Sequence, residues 1–244
     1  MNRTTHTVTT QDGETVSLDL YGNGTKETVV IICHGFFKSK ETPTFQRLSQ
    51  TLAVGRDVIA LDFRGHGRST GAFTFSAHEQ ADLEAVLQWA RGRYAQIALM
   101  GFSLGGAVAI NTASRQPELV KNLVAVSAPS DFNDIEFQFW TPEAIRTGVR
   151  GLERGSGCRP GNVFLKKERP LQNITKLAPI PKLFIHGTKD VIVGVGHSRR
   201  LYEASAQPKR LEIIEGGSHA EALFRDDPDR FLGLVLPWFL QTLS

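Results

Sequence analysis

Chemistry is concentrated in the hexapeptide Gly101-Phe102-Ser103-Leu104-Gly105-Gly106. Ser103 has a glycine two residues away on each side. The apolar run Ile97-Ala98-Leu99-Met100 precedes it, and a helix-like stretch, residues 107–114, follows. A strand that passes into a helix through so short a link turns sharply enough for flanking side chains to collide, so glycine is needed on both sides. The hydroxyl then stands clear of the sheet at a helix N-terminus, where free N–H groups and the helix dipole favour developing negative charge. This is the pattern of a nucleophile elbow. A dinucleotide-binding turn is disfavoured, because Ser103 stands where that fingerprint has its second glycine.

A serine hydroxyl is a poor nucleophile at neutral pH and needs a base, normally histidine, and an acid that orients the histidine. Of the seven histidines, His219 is the best candidate, in the glycine-rich turn Glu215-Gly216-Gly217-Ser218-His219 after the last apolar run. His34 and His186 each precede a glycine at a strand end and suit loop support; His66 lies in the turn-forming Arg64-Gly65-His66-Gly67-Arg68-Ser69. Two aspartates compete for the orienting role. Asp190 follows His186-Gly187-Thr188-Lys189 at a strand end, and Asp131 follows the preceding strand, where it equally suits a helical cap. Asp190 is favoured, and the chain order serine, aspartate, histidine is that of the elbow motif. For the oxyanion, the N–H of Leu104 is one donor by geometry. The second is assigned to the N–H of Phe36, in His34-Gly35-Phe36 after an early strand, where glycine allows close backbone approach.

The elements that must carry these residues are legible from apolar periodicity. Asp12-Gly13 is a turn signal, so residues 7–21 read as an antiparallel hairpin. Short apolar runs follow at 29–33, 58–61, 97–100, 123–126, 183–185 and 211–214. Helical stretches at 45–54, 77–91, 107–114, 197–206 and 231–243 separate them. Near-continuous apolar strands are buried on both faces, as in a parallel sheet covered by helices. The fold class expected is α/β: a doubly wound, mostly parallel sheet of about eight strands with an N-terminal antiparallel hairpin and ligands at the C-terminal strand ends. Residues 131–176 are too long for an ordinary connection. They read as a small cap inserted into a single domain spanning 1–244, with Phe132, Phe137, Phe139 and Trp140 facing inward. Phe37, Phe137 and Trp140 are the candidate substrate-binding residues.

Composition excludes several classes. The formal net charge is only +3, with basic residues scattered, which does not support a nucleic-acid footprint. Two cysteines do not make a disulfide framework, and Cys33, closing a strand, reads as a buried hydrophobe. No apolar stretch reaches the ~18 residues of a membrane span, and the N-terminus lacks an apolar leader, so a cytoplasmic location is expected.

With these blocks in hand, the chain resembles the α/β-hydrolase superfamily, and within it bacterial carboxylesterases of the monoglyceride-lipase, serine-aminopeptidase and cinnamoyl-esterase type. The resemblance rests on His34-Gly35-Phe36, Asp62-Phe63-Arg64-Gly65-His66-Gly67-Arg68-Ser69, the Gly101–Gly106 elbow, His186-Gly187-Thr188-Lys189-Asp190 and Gly217-Ser218-His219. It implies a serine esterase using Ser103, Asp190 and His219 with no metal or organic cofactor. The expected partner is a small-molecule ester with a short to medium acyl chain or a compact aromatic group. Thioester, amide, peptide or peroxide chemistry uses the same triad and stays open, as does a homodimer through the cap or an edge strand. A ligand-binding member that does not turn over is disfavoured because every triad position is filled.

Overall fold

The computed structural model describes residues 2–24, 26–135 and 152–243. Among them, eight strands form one sheet: β1 (Arg3–Thr9), β2 (Thr15–Tyr21), β3 (Thr28–Cys33), β4 (Asp57–Leu61), β5 (Gln96–Phe102), β6 (Asn122–Val126), β7 (Lys182–Gly187) and β8 (Lys209–Ile214). Their spatial order is β1-β2-β4-β3-β5-β6-β7-β8. The first two pairings, β1 with β2 and β2 with β4, are antiparallel, and every later one is parallel. The helices are α1 (Pro43–Leu52), α2 (Glu79–Arg91), α3 (Leu104–Ala113), α4 (Pro170–Asn173), α5 (Gly196–Ala204), α6 (Ala222–Asp226) and α7 (Pro228–Thr242). None of the described helices is long and apolar enough to cross a membrane.

Strand β3 shows why the runs are apolar throughout. Successive side chains point to opposite faces, so Val29, Ile31 and Cys33 enter one core while Val30 and Ile32 enter the other. Leu83, Val86 and Leu87 of α2 and Ala107, Val108 and Ile110 of α3 cover the first face. Phe45 and Leu48 of α1, Phe224 of α6, and Phe231 and Trp238 of α7 cover the second. A strand buried on both sides has no polar face to alternate with.

Two boundaries differ from the sequence pattern for physical reasons. The hairpin begins at Arg3 rather than residue 7, because Arg3-Thr4-Thr5-His6 carries no apolar signal and becomes a strand only through its full register with β2. Helix α3 begins at Leu104 rather than residue 107. Gly105 and Gly106 have poor helix propensity, but close packing requires Gly105: a Cβ there would lie 2.3 Å from the Cys33 carbonyl oxygen.

The order of strands sets the site. From β3 the chain moves outward to β4 and then returns to β5 on the other side, so the direction of winding reverses between β3 and β5. Ligand crevices of open α/β sheets lie at such a switch point, outside the C-terminal strand ends. Here those ends are Cys33 and Phe102, with Cys33 paired to Gly101 across the sheet. His34-Gly35-Phe36 leaves one, and Ser103 follows the other.

Between β6 and β7 the chain makes a short 3-10 turn, Phe132–Asp134. From residue 152 it runs without regular structure to α4. This latter stretch lies against the loops after β3 and β4: Gly157 N–H donates to the Phe37 carbonyl (3.0 Å), and Arg159 N–H to the Gly65 carbonyl (2.7 Å). Phe137, Phe139 and Trp140 lie outside the described residues. Both cysteines are free, and burial pushes the Cys33 thiol far above its ordinary pKa.

Candidate active site

Ser103 links β5 directly to α3 with φ 51° and ψ −119°. A non-glycine residue adopts positive φ only when its surroundings enforce it. The enforcement is visible on both sides. Ser103 N–H donates to the Val126 carbonyl (2.8 Å), and its own carbonyl accepts from the N–H groups of Gly106 and Ala107 (2.9 and 3.2 Å). A Cβ at Gly101 would sit 2.4 Å from the Gly105 carbonyl oxygen, so the two glycines flanking the serine are needed to let strand and helix meet.

The loop after β3 comes up beside this serine. An added Cβ at Gly35 would be 3.3 Å from Ser103 Cβ. Two buried histidines hold the loop's peptides. His34 Nε2 accepts the Phe63 N–H (3.0 Å), which leaves its Nδ1–H to donate to the Gly35 carbonyl (2.7 Å). His66 Nε2 accepts the Phe37 N–H (3.2 Å), and its Nδ1–H donates to the Arg64 carbonyl (3.1 Å). Burial lowers both pKa values, to about 4 for His34 and about 3 for His66, so both rings are neutral props at physiological pH. They fix the peptides on either side of Phe36. Phe37 itself is held at φ 65°. Behind the loop, buried Asp62 accepts the N–H groups of Lys40 (2.8 Å) and Arg68 (2.9 Å), tying the Arg64–Ser69 turn to it.

The remaining two expected residues meet. His219 Nδ1 donates to Asp190 Oδ2 at 2.7 Å. The carboxylate is fixed elsewhere too: Oδ1 accepts the N–H groups of Ile192 (3.0 Å) and Val193 (2.9 Å), and Oδ2 lies 3.2 Å from His186 Nε2. Burial alone would raise the Asp190 pKa, but the charge and hydrogen bonds of His219 and His186 outweigh it and hold the carboxyl well below its usual range. For His219, burial works downward, while the Asp190 charge and hydrogen bond raise the imidazole above its ordinary value. With its proton on Nδ1, the ring presents an unprotonated Nε2. Asp131 is engaged elsewhere, capping the Asn133 N–H (2.9 Å) and pairing with Arg169 (2.8 Å).

Two further residues position this arrangement: Ser127, outside any motif, and His186, at the head of the block that ends in Asp190. Ser127, buried with φ 49°, directly follows β6, whose Val126 pairs with Phe102 of β5. Its Oγ accepts the N–H of Ala220, the residue after His219, at 3.1 Å. The His219 turn is thereby pinned to the strand beside the one that delivers Ser103. His186 faces Val193 O (2.7 Å) and Asp190 with Nε2, while its Nδ1 faces the Ser198 hydroxyl (2.7 Å). The signal for Ser127 is a polar residue just past a buried strand, and for His186 a polar residue at the end of one. Among the described residues, no group of three or more His, Cys, Asp or Glu side chains is placed to hold a metal ion.

An aromatic wall runs from the β3 loop. The rings of Phe36 and Phe37, both substantially exposed, are 5.7 Å apart. Phe36 stacks on Phe73 (5.0 Å), Phe73 meets Phe75 (5.6 Å), and Phe75 meets Phe132 (5.4 Å).

Comparison with known proteins agrees with this architecture. Residues 28–144 match the family model described as alpha/beta hydrolase fold. The uncharacterized protein Rv2715 of Mycobacterium tuberculosis is 27% identical over 260 residues, covering 84% of this chain and 73% of that protein. The Pyrococcus furiosus esterase Pf2001 superposes with a TM-score of 0.80 at 21% identity, covering 100% of this chain and 92% of that one. Esterase RhEst1 of Rhodococcus sp. ECU1013 gives 0.77 at 23% identity, covering 98% and 99%. The chain therefore has the α/β-hydrolase fold. Within that fold its structure resembles those of esterases.

Proposed function

We propose that the protein is a serine hydrolase of carboxylic esters. Two observations support this reading: Ser103 is held in a strained elbow at the switch point, and the turn carrying the His219–Asp190 pair is tied to Ser127, next to the Val126 carbonyl that accepts the Ser103 N–H. His219 Nε2 takes the proton as Ser103 Oγ attacks the ester carbonyl carbon. The N–H groups of Phe36 and Leu104 receive the oxyanion of the tetrahedral intermediate. As it collapses, the carbon–oxygen bond to the alcohol breaks and His219 protonates the departing oxygen. Water, deprotonated by the same nitrogen, then attacks the acyl-serine and frees the acid.

The Phe36, Phe73, Phe75 and Phe132 rings support acyl groups that are compact and apolar or aromatic, with Phe37 at the entrance. In this reading residues 131–176 form the small cap. The test is hydrolysis of p-nitrophenyl esters from acetate to palmitate, with methyl ferulate alongside and Ser103→Ala as control. Turnover falling at least ~10³-fold in the folded Ser103→Ala protein, with short chains or ferulate preferred, supports the reading. Retained turnover in the pure variant refutes it. A serine-dependent preference for thioesters or amides transfers the triad to that leaving group.

A further inference from the structure

One ammonium group joins three separate parts of this site. Lys38 Nζ lies 3.1 Å from Glu221 Oε1 and 3.5 Å from Glu153 Oε2, and all three side chains are largely buried, at 8%, 11% and 14% exposure. Lys38 is two residues beyond Phe36 in the β3 loop. Glu221 is two residues beyond His219, in a turn closed by the Ala222 N–H on the His219 carbonyl (3.0 Å). Glu153 belongs to the segment between β6 and β7, and its other oxygen accepts the N–H and hydroxyl of Thr44 at the start of α1 (3.1 and 2.6 Å). Hydrogen bonds from Ser39 Oγ to the Gly155 carbonyl (2.8 Å) and from Gly157 N–H to the Phe37 carbonyl (3.0 Å) seat the same segment on the β3 loop.

A buried ion cluster is seldom worth more to stability than apolar residues of its size, so stability alone gives little reason for this one. Its location gives a better one. The charged groups acting on His219 are Asp190 and, behind it, His186 from β7, Glu221 from its own turn, and Lys38 from the β3 loop. Glu153 acts through Lys38. Without Lys38, the Glu221 carboxylate would be a second, unneutralised anion beside the imidazole.

Building on the serine-hydrolase reading, we propose that Lys38 is a positioning residue that locks the oxyanion loop to the His219 turn and neutralises Glu221, so that Asp190 alone governs the imidazole. The lock fixes the relative placement of the Phe36 N–H and His219, which only the reacting intermediate uses together. Its loss therefore falls on kcat more than on KM.

The experiment is an NMR titration of the His219 ring protons in the intact protein, with kcat and KM for p-nitrophenyl acetate measured on the same samples. Lys38→Met should move the His219 midpoint upward by about half a pH unit or more, because the exposed Glu221 charge favours imidazolium. Glu221→Gln should move it downward, and the double variant should bring it back toward the parent value. kcat should fall about tenfold or more in Lys38→Met with a smaller change in KM, and Lys38→Arg should recover part of it. Should Lys38→Met fail to fold, the downward shift in Glu221→Gln carries the test. An unmoved midpoint in Glu221→Gln overturns the proposal whatever the turnover. The titration needs no catalysis, so shifts of the expected sign without Ser103-dependent hydrolysis would support the Lys38 link and sink the esterase reading separately.

Discussion

Replacing Asp190 by asparagine tests the assignment of the acid, and the surrounding hydrogen bonds set the expected size of the effect. The carboxylate accepts at both ends: two backbone N–H groups on Oδ1, and His219 Nδ1–H with His186 Nε2–H on Oδ2. Asparagine has one accepting end and one donating end. If its oxygen keeps the Ile192 and Val193 N–H groups, its NH₂ faces two ring N–H donors. The reverse orientation sets the NH₂ against two immovable backbone donors and is worse. His219 can relieve its clash only by shifting its proton from Nδ1 to Nε2, which removes the lone pair that would take the serine proton. A wrong tautomer of this kind costs about 10⁴ in kcat, or roughly 5.5 kcal/mol of barrier. His186 Nε2 keeps its 2.7 Å hydrogen bond to the Val193 carbonyl and loses only the longer contact to the carboxylate, so the fold should persist. The assay is kcat on p-nitrophenyl acetate, with urea unfolding to confirm the fold. Asp131→Asn is the control: asparagine caps a turn as well as aspartate, and the Arg169 partner is half exposed and remote from the His219–Asp190 bond, so less than a threefold change in kcat is expected, small beside the ~10⁴ loss above. A loss under tenfold in Asp190→Asn, or a large loss in Asp131→Asn, refutes the reasoning.

Two further perturbations probe the framework around the serine. A methyl at Gly35 would meet Ser103 Cβ and the Phe102 carbonyl oxygen at 3.3 Å, so the loop must retreat by a few tenths of an ångström; kcat for Gly35→Ala should fall about tenfold with the circular dichroism spectrum unchanged. At Gly105 the same methyl meets backbone oxygens of Cys33 and His34 at 2.3 and 2.4 Å, and no folded protein should accumulate; a soluble, active Gly105→Ala chain would contradict the packing. The loop histidines also predict a pH dependence. His34 and His66 titrate near 6.5 when unfolded but at about 4 and about 3 in the fold, so their stabilisation is complete above pH 6.5 and drains away as pH falls from 6.5 through those values. At pH 5 each should have lost about 2 kcal/mol. Urea unfolding at pH 7 and pH 5 should show a smaller loss for His66→Gln than for the parent, and equal losses would refute neutral burial of His66.

How much of this was legible in the sequence depended on whether a residue's partners were local. The parallel strands declared themselves because burial on both faces forces continuous apolar runs, as in Val29-Val30-Ile31-Ile32-Cys33. Ser103 was legible because the elbow's own glycines, four residues apart, report the sharp turn. Asp190 and His219 could be ranked, since each follows a strand at the ligand-binding edge; the 2.7 Å bond between them required the fold, because 29 residues and a crossover helix separate them. The residues that could not be foreseen owe their placement to strand order. Ser127 reaches Ala220 across 93 residues only because β6 and β8 flank β7 in the sheet, and Lys38 meets Glu221 only because the β3 loop and the turn after β8 rise over the same edge. A lone serine after a strand, or a lysine in a basic stretch, has the same local sequence whether it faces water or a buried carboxylate. Burial separates the two cases: a lysine ammonium 8% exposed between two carboxylates is held there by neighbours, and those neighbours are the loops that carry the proposed base and oxyanion donor. The chemistry was therefore written in short-range pattern, and the means of aligning it was written in topology.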